Sequence, residues 1–482
     1  MSLSGALSNA MSGLVANARG TTVISSNIAN ALNENYGRRD ISLSTNATQT
    51  SGGVIVANVT RHADPILAYQ KRLALADHSA ASAQSDFQAT LEQLIGSVDT
   101  IGSVAEKLTR FETALLSSAS DPSSETRLRN ISVASEAFAG GLRDTSAGID
   151  ALRSRADAEL ANTVDRLNSG LLQLEQLNAQ IMTARHLGQN AHGLMDRRDA
   201  TLDVLAEFVP LHVVERDSGK IAVFTAQGRT LLDERAVTIG FAPTSTILPH
   251  MTVENGLLSG MTINGKPVGI PGNGMMNGGS LEAQFNLRDV SAPQMQKRLD
   301  AIARDAIERF GPGGPDTTLG VTDPGIFTDN GLNFDVANET GLAGRITLNA
   351  ALWVGSSEPW RWRDGLNATA QGDVGQSDLL LRMKAQLNLA AVPGSTVLGS
   401  APRSLVDHLQ ELSNTVAAQR VGSEEARVAT FSRLTELRDA AASDGVNTDQ
   451  ELQKLIELEK SYAANARVVQ VVDDMLSELL RI

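Results

Sequence analysis

The stretch "QKLIELEKSYAANARVVQVVDDMLSELLRI", residues 453–482, sets the architecture. Apolar residues recur at alternating spacings of three and four, with Leu455, Tyr462, Val469 and Leu476 in one register and Leu458, Val472 and Leu479 in the other. Asn465 is the one polar member of the line. Such a pattern is the seam of a coiled coil rather than the broad apolar face of a globular helix. A seam this narrow is marginal alone and folds only against a partner helix.

The other end of the chain supplies a matching segment. Leu3, Leu7, Ala10, Leu14, Ile24 and Ile28 follow the same three-four spacing, interrupted by the polar Asn17 and Thr21. Arg19 is the only charged residue before Glu34. The two seams are therefore expected to pair with each other. Few ions lie in either, so two helices can pack there without burying unpaired charge.

Between the ends the chain reads as mainly helical with a β-rich insertion. Helices are expected over 66–118 and 124–206. In "ADAELANTVDRLNSGLLQLEQLNAQIMTAR" (156–185), Leu160, Val164, Leu167, Leu171, Leu174, Leu177 and Ile181 share one face. Past Pro210 the pattern alternates, with turns at "DSGK" and "AQGR", and predicts a β-meander. The Gly-rich run 264–280 reads as a hinge leading to helix over 280–310, and a further helix is expected over 403–440. Residues 311–365 give only short strand-like runs. The expected domains are a terminal helix (1–35) paired with 445–482, a helical middle in two parts (36–205 and 280–444), and an outer β-rich domain (206–279).

Composition excludes several function classes. A net charge of −14 argues against nucleic-acid and anionic-membrane partners. The absence of cysteine removes disulfides, thiol catalysis and cysteine-ligated metals. No window approaches the roughly 18 apolar residues of a membrane span, and the first residues carry no basic, apolar leader. This points to a cytoplasmic protein or to export without a cleaved signal. The seven histidines, His62, His78, His186, His192, His212, His250 and His408, show no metal-binding spacing. No GxSxG elbow or phosphate loop is present, and "DPGIFTDNGLNFD" (323–335) departs from calcium-loop spacing. No enzyme, metal or cofactor is expected. Trp353, Trp360 and Trp362 lie within "WVGSSEPWRWRDG", which reads as a junction cluster with Arg361 or Arg363 on indole, and more remotely as a glycan platform.

Residues 25–39, "SSNIANALNENYGRR", resemble the N-terminal signature of bacterial flagellar axial proteins (rod, hook and hook-associated), SxNIANxxTPGYxR. Ser26, Asn27, Ile28, Ala29, Asn30, Tyr36 and Arg38 carry the likeness. Asn33-Glu34-Asn35 stands in place of Thr-Pro-Gly, and Gly37 where Ser is common. The tail from Gly445 is similar to the family's C-terminal segment. "LMDRRDATLDVLAEFVPLHVV" (194–214) and residues 278–310 are similar to segments of the first hook-associated protein (FlgK) family.

The resemblance implies an exported structural subunit of the hook–filament junction. It would form a homo-oligomeric ring outside the cell after passage through the flagellar type III route. Its neighbours would be the hook protein and the second hook-associated protein (FlgL type), and an FlgN-type export chaperone would hold the C-terminal helix. A hook or rod protein of the same superfamily is the alternative.

Overall fold

A computed structural model describes residues 3–45, 52–97, 99–269, 274 and 276–481. The first helix, α1, runs Leu3–Ala29 and is followed by the antiparallel hairpin β1 (Arg39–Thr45) and β2 (Val54–Arg61). Four helices come next: α2 (Pro65–Ile95), α3 (Val104–Ser120), α4 (Glu125–His186) and α5 (His192–Phe208). The meander β3 (Leu211–Glu215), β4 (Ile221–Thr225), β5 (Thr230–Leu232) and the small sheet β6 (Ile239–Gly240), β7 (Thr262–Ile263), β8 (Lys266–Pro267) are antiparallel throughout. Then come α6 (Gly279–Asn286), α7 (Ala292–Arg309), the pair β9 (Phe327–Asp329) and β10 (Ile346–Leu348), and α8 (Arg361–Asp364). The last three helices are α9 (Asp378–Asn388), α10 (Leu405–Ser443) and α11 (Thr448–Arg481).

The fold is mainly helical with β-rich insertions, as the sequence predicts, but the two long helices expected over 66–118 and 124–206 are each broken. Gly96 and Gly102, at φ +70° and +88°, turn the chain between α2 and α3, and the Ser103 side chain then accepts Glu106 N at 3.1 Å to start α3. Gly188 at φ +65° ends α4 and allows α5 to fold back. Part of the Gly-rich run read as a hinge, residues 270–273 and 275, lies outside the described residues.

The chain divides into two compact units. One comprises residues 1–77, 167–237 and 430–482; the other comprises 78–166 and 238–429. In the first unit Leu167, Leu171, Leu174, Leu177 and Ile181 of α4 are buried, while Leu172 on the other face is exposed. Gly170 brings α4 close to α5, where a methyl group on it would lie 2.6 Å from Leu205 Cδ2. Buried Asn178 binds β4 as a neighbouring strand would: Nδ2 donates to Ile221 O at 2.8 Å and Oδ1 accepts Ile221 N at 3.2 Å.

The second unit holds a core of edge-to-face aromatics. Phe111 lies 6.0 Å from Phe310, 5.9 Å from Phe327 and 6.2 Å from Trp362 between ring centres. Trp362 is fully buried and donates Nε1–H to Ser132 Oγ at 2.8 Å. Trp353 is exposed, while Arg361 stacks 4.9 Å over Trp360. The three indoles thus occupy separate environments and present no common platform.

Candidate functional site

Helices α1 and α11 run antiparallel in an unslipped register. Gly13 faces Asn465, Gly20 faces Leu458, Asn17 Nδ2 donates to Ser461 Oγ at 3.0 Å, and Asn27 Nδ2 donates to Glu451 Oε2 at 2.9 Å. The buried line on α1 is Ala10, Gly13, Asn17, Gly20, Ile24 and Asn27, with Ala16 beside it. Small residues dominate it because the helix axes approach closely. A methyl group on Gly13 would lie 2.7 Å from Asn465 Nδ2, and one on Gly20 would lie 2.8 Å from Leu458 Cδ1.

Of the α1 positions read from the sequence, Ala10 and Ile24 are buried in this line. Leu3, Leu7, Leu14 and Ile28 flank it, half-buried. On α11, Val472 is buried and Leu455, Leu458 and Val469 are half-buried, while Tyr462, Leu476 and Leu479 are exposed. Gly13 and Gly20 were invisible to a search for large apolar residues, and Asn17, read as a polar interruption of the seam, is a buried member of the line.

Asn27 is the hub of the motif. It is fully buried, and all four hydrogen-bonding positions of its amide are occupied. Nδ2 donates to Glu451 and to Arg39 O at 2.8 Å, while Oδ1 accepts Tyr36 OH at 2.9 Å and Arg39 N at 3.1 Å. Tyr36 OH also reaches Ser26 Oγ at 3.2 Å, and Asn30 Nδ2 returns to Ser26 O at 2.9 Å. Ala29 ends α1 and is exposed. Glu451 is 2% exposed in the first turn of α11, and its other oxygen accepts Lys454 Nζ at 2.9 Å. That hydrogen bond holds the Lys454 ammonium above its ordinary value.

The turn that lacks Pro-Gly is closed by asparagine. Asn33 Oδ1 accepts Asn35 N at 3.3 Å and Asn33 O accepts Tyr36 N at 3.0 Å, an Asx-supported turn.

Beyond this turn an ion ladder binds the segment to α5. Asp196, Asp199 and Asp203 share one face of α5 at three-four spacing. Asp196 accepts Arg39 at 3.2 Å, Arg61 at 2.7 Å and Gly37 N at 3.1 Å. Asp199 bridges Arg61 at 2.7 Å and Arg72 at 3.2 Å, and Asp203 bridges Arg72 at 2.8 Å and Lys71 at 2.6 Å. Arg38, which carries part of the resemblance, instead pairs locally with Asp40 at 3.3 Å. The ladder was absent from the sequence reading; its only local sign is the spacing of the three aspartates.

Among the described residues no group of three His, Asp or Glu side chains is placed to hold a metal ion, and no helix is long and apolar enough to cross a membrane. The arrangement holds two helix ends and a hairpin in one geometry.

The chain is similar to known flagellar proteins. Residues 88–311 match the model of the flagellar hook-associated protein FlgK helical domain, and residues 442–482 match that of the flagellar basal body rod FlgEFG protein C-terminal region. Flagellar hook-associated protein 1 of Bacillus subtilis is 25% identical, over 98% of this chain and 97% of its own. Its counterpart from Escherichia coli is 24% identical over the full length of both. The solved structure of the flagellar hook junction protein FlgK from Burkholderia pseudomallei overlaps 54% of this chain and 46% of that one, with a TM-score of 0.43 and 20% identity.

The chain is thus a structural protein of the bacterial flagellum, and its own terminal helices pair. Within that class its likeness, over 88–311 and along its whole length, is to the FlgK family, the first of the hook-associated proteins.

Proposed function

We propose that this chain is a subunit of the hook–filament junction. It assembles as a homo-oligomeric ring through the outer face of its α1/α11 pair and reaches that place by flagellar type III export. The observation that carries the reading is the surface left over once the two helices have paired. Met11 and Val15 on α1 are 53% and 57% exposed, and Ile456, Tyr462, Val471, Met475 and Leu479 on α11 are each at least 50% exposed. Exposed apolar side chains of this size, repeated along one helix pair, fit a surface that other protein covers. The hook-associated names of full-length relatives support the same placement.

In this reading the hook protein and an FlgL-type second hook-associated protein are the neighbours in the assembled axis. An FlgN-type chaperone covers the exposed stripe of α11 before export. The rod-type match over 442–482 favours a hook or rod subunit for the tail alone; the helical-domain match over 88–311 favours the junction subunit.

The test is an Ile456→Asp/Met475→Asp variant. Both side chains are at least half exposed, so the secreted chain is expected to keep wild-type helicity by circular dichroism while failing to join hook ends and leaving cells non-motile. Normal incorporation of the variant at the hook tip would overturn the proposal.

A further inference from the structure

Beside the aspartate ladder, α5 borders a cleft of about 800 Å³, built entirely within the first unit. Its walls come from β2, the turn between α4 and α5, and the β3–β4 turn. Five arginines line it, Arg19, Arg61, Arg185, Arg198 and Arg216, against one acidic side chain, Glu215. In a chain of net charge −14, such a concentration of guanidinium groups is a local reversal of sign.

Two of the five already have carboxylate partners: Arg61 on Asp196 and Asp199, and Arg216 on Asp233 at 3.4 Å. Arg198 does not. It is 7% exposed; its NH1 donates to Gly219 O at 2.8 Å, its Nε is buried with no acceptor, and no described carboxylate lies within ion-pair distance. Burial lowers this guanidinium below its ordinary value although Asp199 and Glu215 act on it from beyond ion-pair distance, so a further anion brought to it would be favoured. Arg185 is exposed at the same cleft and has no ion-pair partner among the described residues.

The first turn of α5 opens onto the cleft at His192. Its backbone N–H is capped by Asn190 Oδ1 at 2.8 Å, while the ring Nδ1 is buried without a partner. Burial first, and then Arg39, Arg61 and Arg185 against the opposing Asp196, push the His192 imidazole below its ordinary value.

We propose that this cleft is an oxyanion-binding site, with Arg198 and Arg185 as the principal donors and the N-terminus of α5 adding its dipole. The ligand class is a tetrahedral or carboxylate oxyanion, presented either as free inorganic phosphate or as an Asp or Glu side chain of a second copy of the chain.

The experiment titrates the full chain with inorganic phosphate against sodium chloride of equal ionic strength, following the thermal midpoint and the His192 ring resonances by NMR. Phosphate is expected to raise the midpoint saturably and to move the His192 titration upward, because a bound anion favours the imidazolium. Arg185→Gln, at an exposed position without a partner, should fold as the parent and bind about tenfold more weakly. Arg198→Met should abolish the response. An equal response to chloride, or an unchanged response in Arg185→Gln, would overturn the proposal. Self-association measured in the same solutions separates the two sources. Weakening by phosphate and by Arg185→Gln assigns the site to a neighbour's carboxylate; phosphate binding with unchanged association assigns it to the free anion.

Discussion

Asn27 and Glu451, 424 residues apart in sequence, meet at 2.9 Å with both side chains out of solvent. The amide donates to a carboxylate that has left water, and in the same plane it reads the backbone of Arg39. Removing one member therefore strands several others. Asn27→Ala is expected to destabilise the first unit by about 2–4 kcal/mol, since a buried carboxylate and a backbone pair lose their partner together. Ser461→Ala, which removes a hydrogen bond of Asn17 at a more exposed point of the same pair, should cost less than about 1 kcal/mol. Urea unfolding followed by circular dichroism distinguishes the two; equal effects would refute the hub role of Asn27.

Gly20 tests how closely the helices approach. Alanine there gains about 1 kcal/mol of helix propensity and pushes only against the mobile end of Leu458, so it should be near neutral. Valine adds two carbons more and is expected to cost about 1–3 kcal/mol by overpacking. Leu458→Ala opens the space opposite and should recover part of that loss. A double-mutant cycle showing no coupling between positions 20 and 458 would contradict the contact.

The ladder on α5 gives a third test. Asp199 alone serves both Arg61 and Arg72, and the Arg72 side chain is 7% exposed. Asp199→Asn should lower stability by about 1–3 kcal/mol, more than removal of an exposed surface pair would. The loss should persist in high salt, because partly buried charges are poorly screened. Thermal melts at low and high sodium chloride read this directly.

Acidity should act on the second unit in an unusual direction. Asp300 is 1% exposed, and burial raises its carboxyl to about 6 even though the backbone N–H groups of Ala343 and Gly341 donate to it at 2.9 and 2.7 Å. An acid whose folded value lies above its unfolded one holds protons better when folded. Its penalty on folding is fully present above pH 6 and is relieved as pH falls toward the unfolded value. From pH 7 to pH 5 this group should add about 1 kcal/mol of stability. Asp300→Asn keeps an acceptor for the loop and should flatten that part of the pH profile; an unchanged profile would count against it.

How much of this was legible beforehand differs from element to element. The α4 face from Leu160 to Ile181 was readable because large apolar side chains at helical spacing face a thick core, and each of them is buried. The meander from Leu211 to Leu232 was readable from alternation and from glycine turns. The α1 seam was readable as a pairing helix but not at its contact line. Hydrophobic periodicity weighs Leu7 and Leu14, whereas close approach of two helices selects Gly13 and Gly20. The helix breaks at Gly96 and Gly188 depend on a positive φ, which sequence spacing does not report. The ladder is a set of distant pairs, so Asp196, Asp199 and Asp203 carried a visible pattern whose arginine partners only the fold could supply.

The register that joins α1 to α11 also orders events in time. Closing a loop of more than 400 residues costs about 5 kcal/mol in chain entropy before any contact is made. Contacts of such sequence separation form late. The body between them must therefore fold first and bring the two helices within reach. Until then both strips of small and apolar residues stand open to whatever other surface meets them.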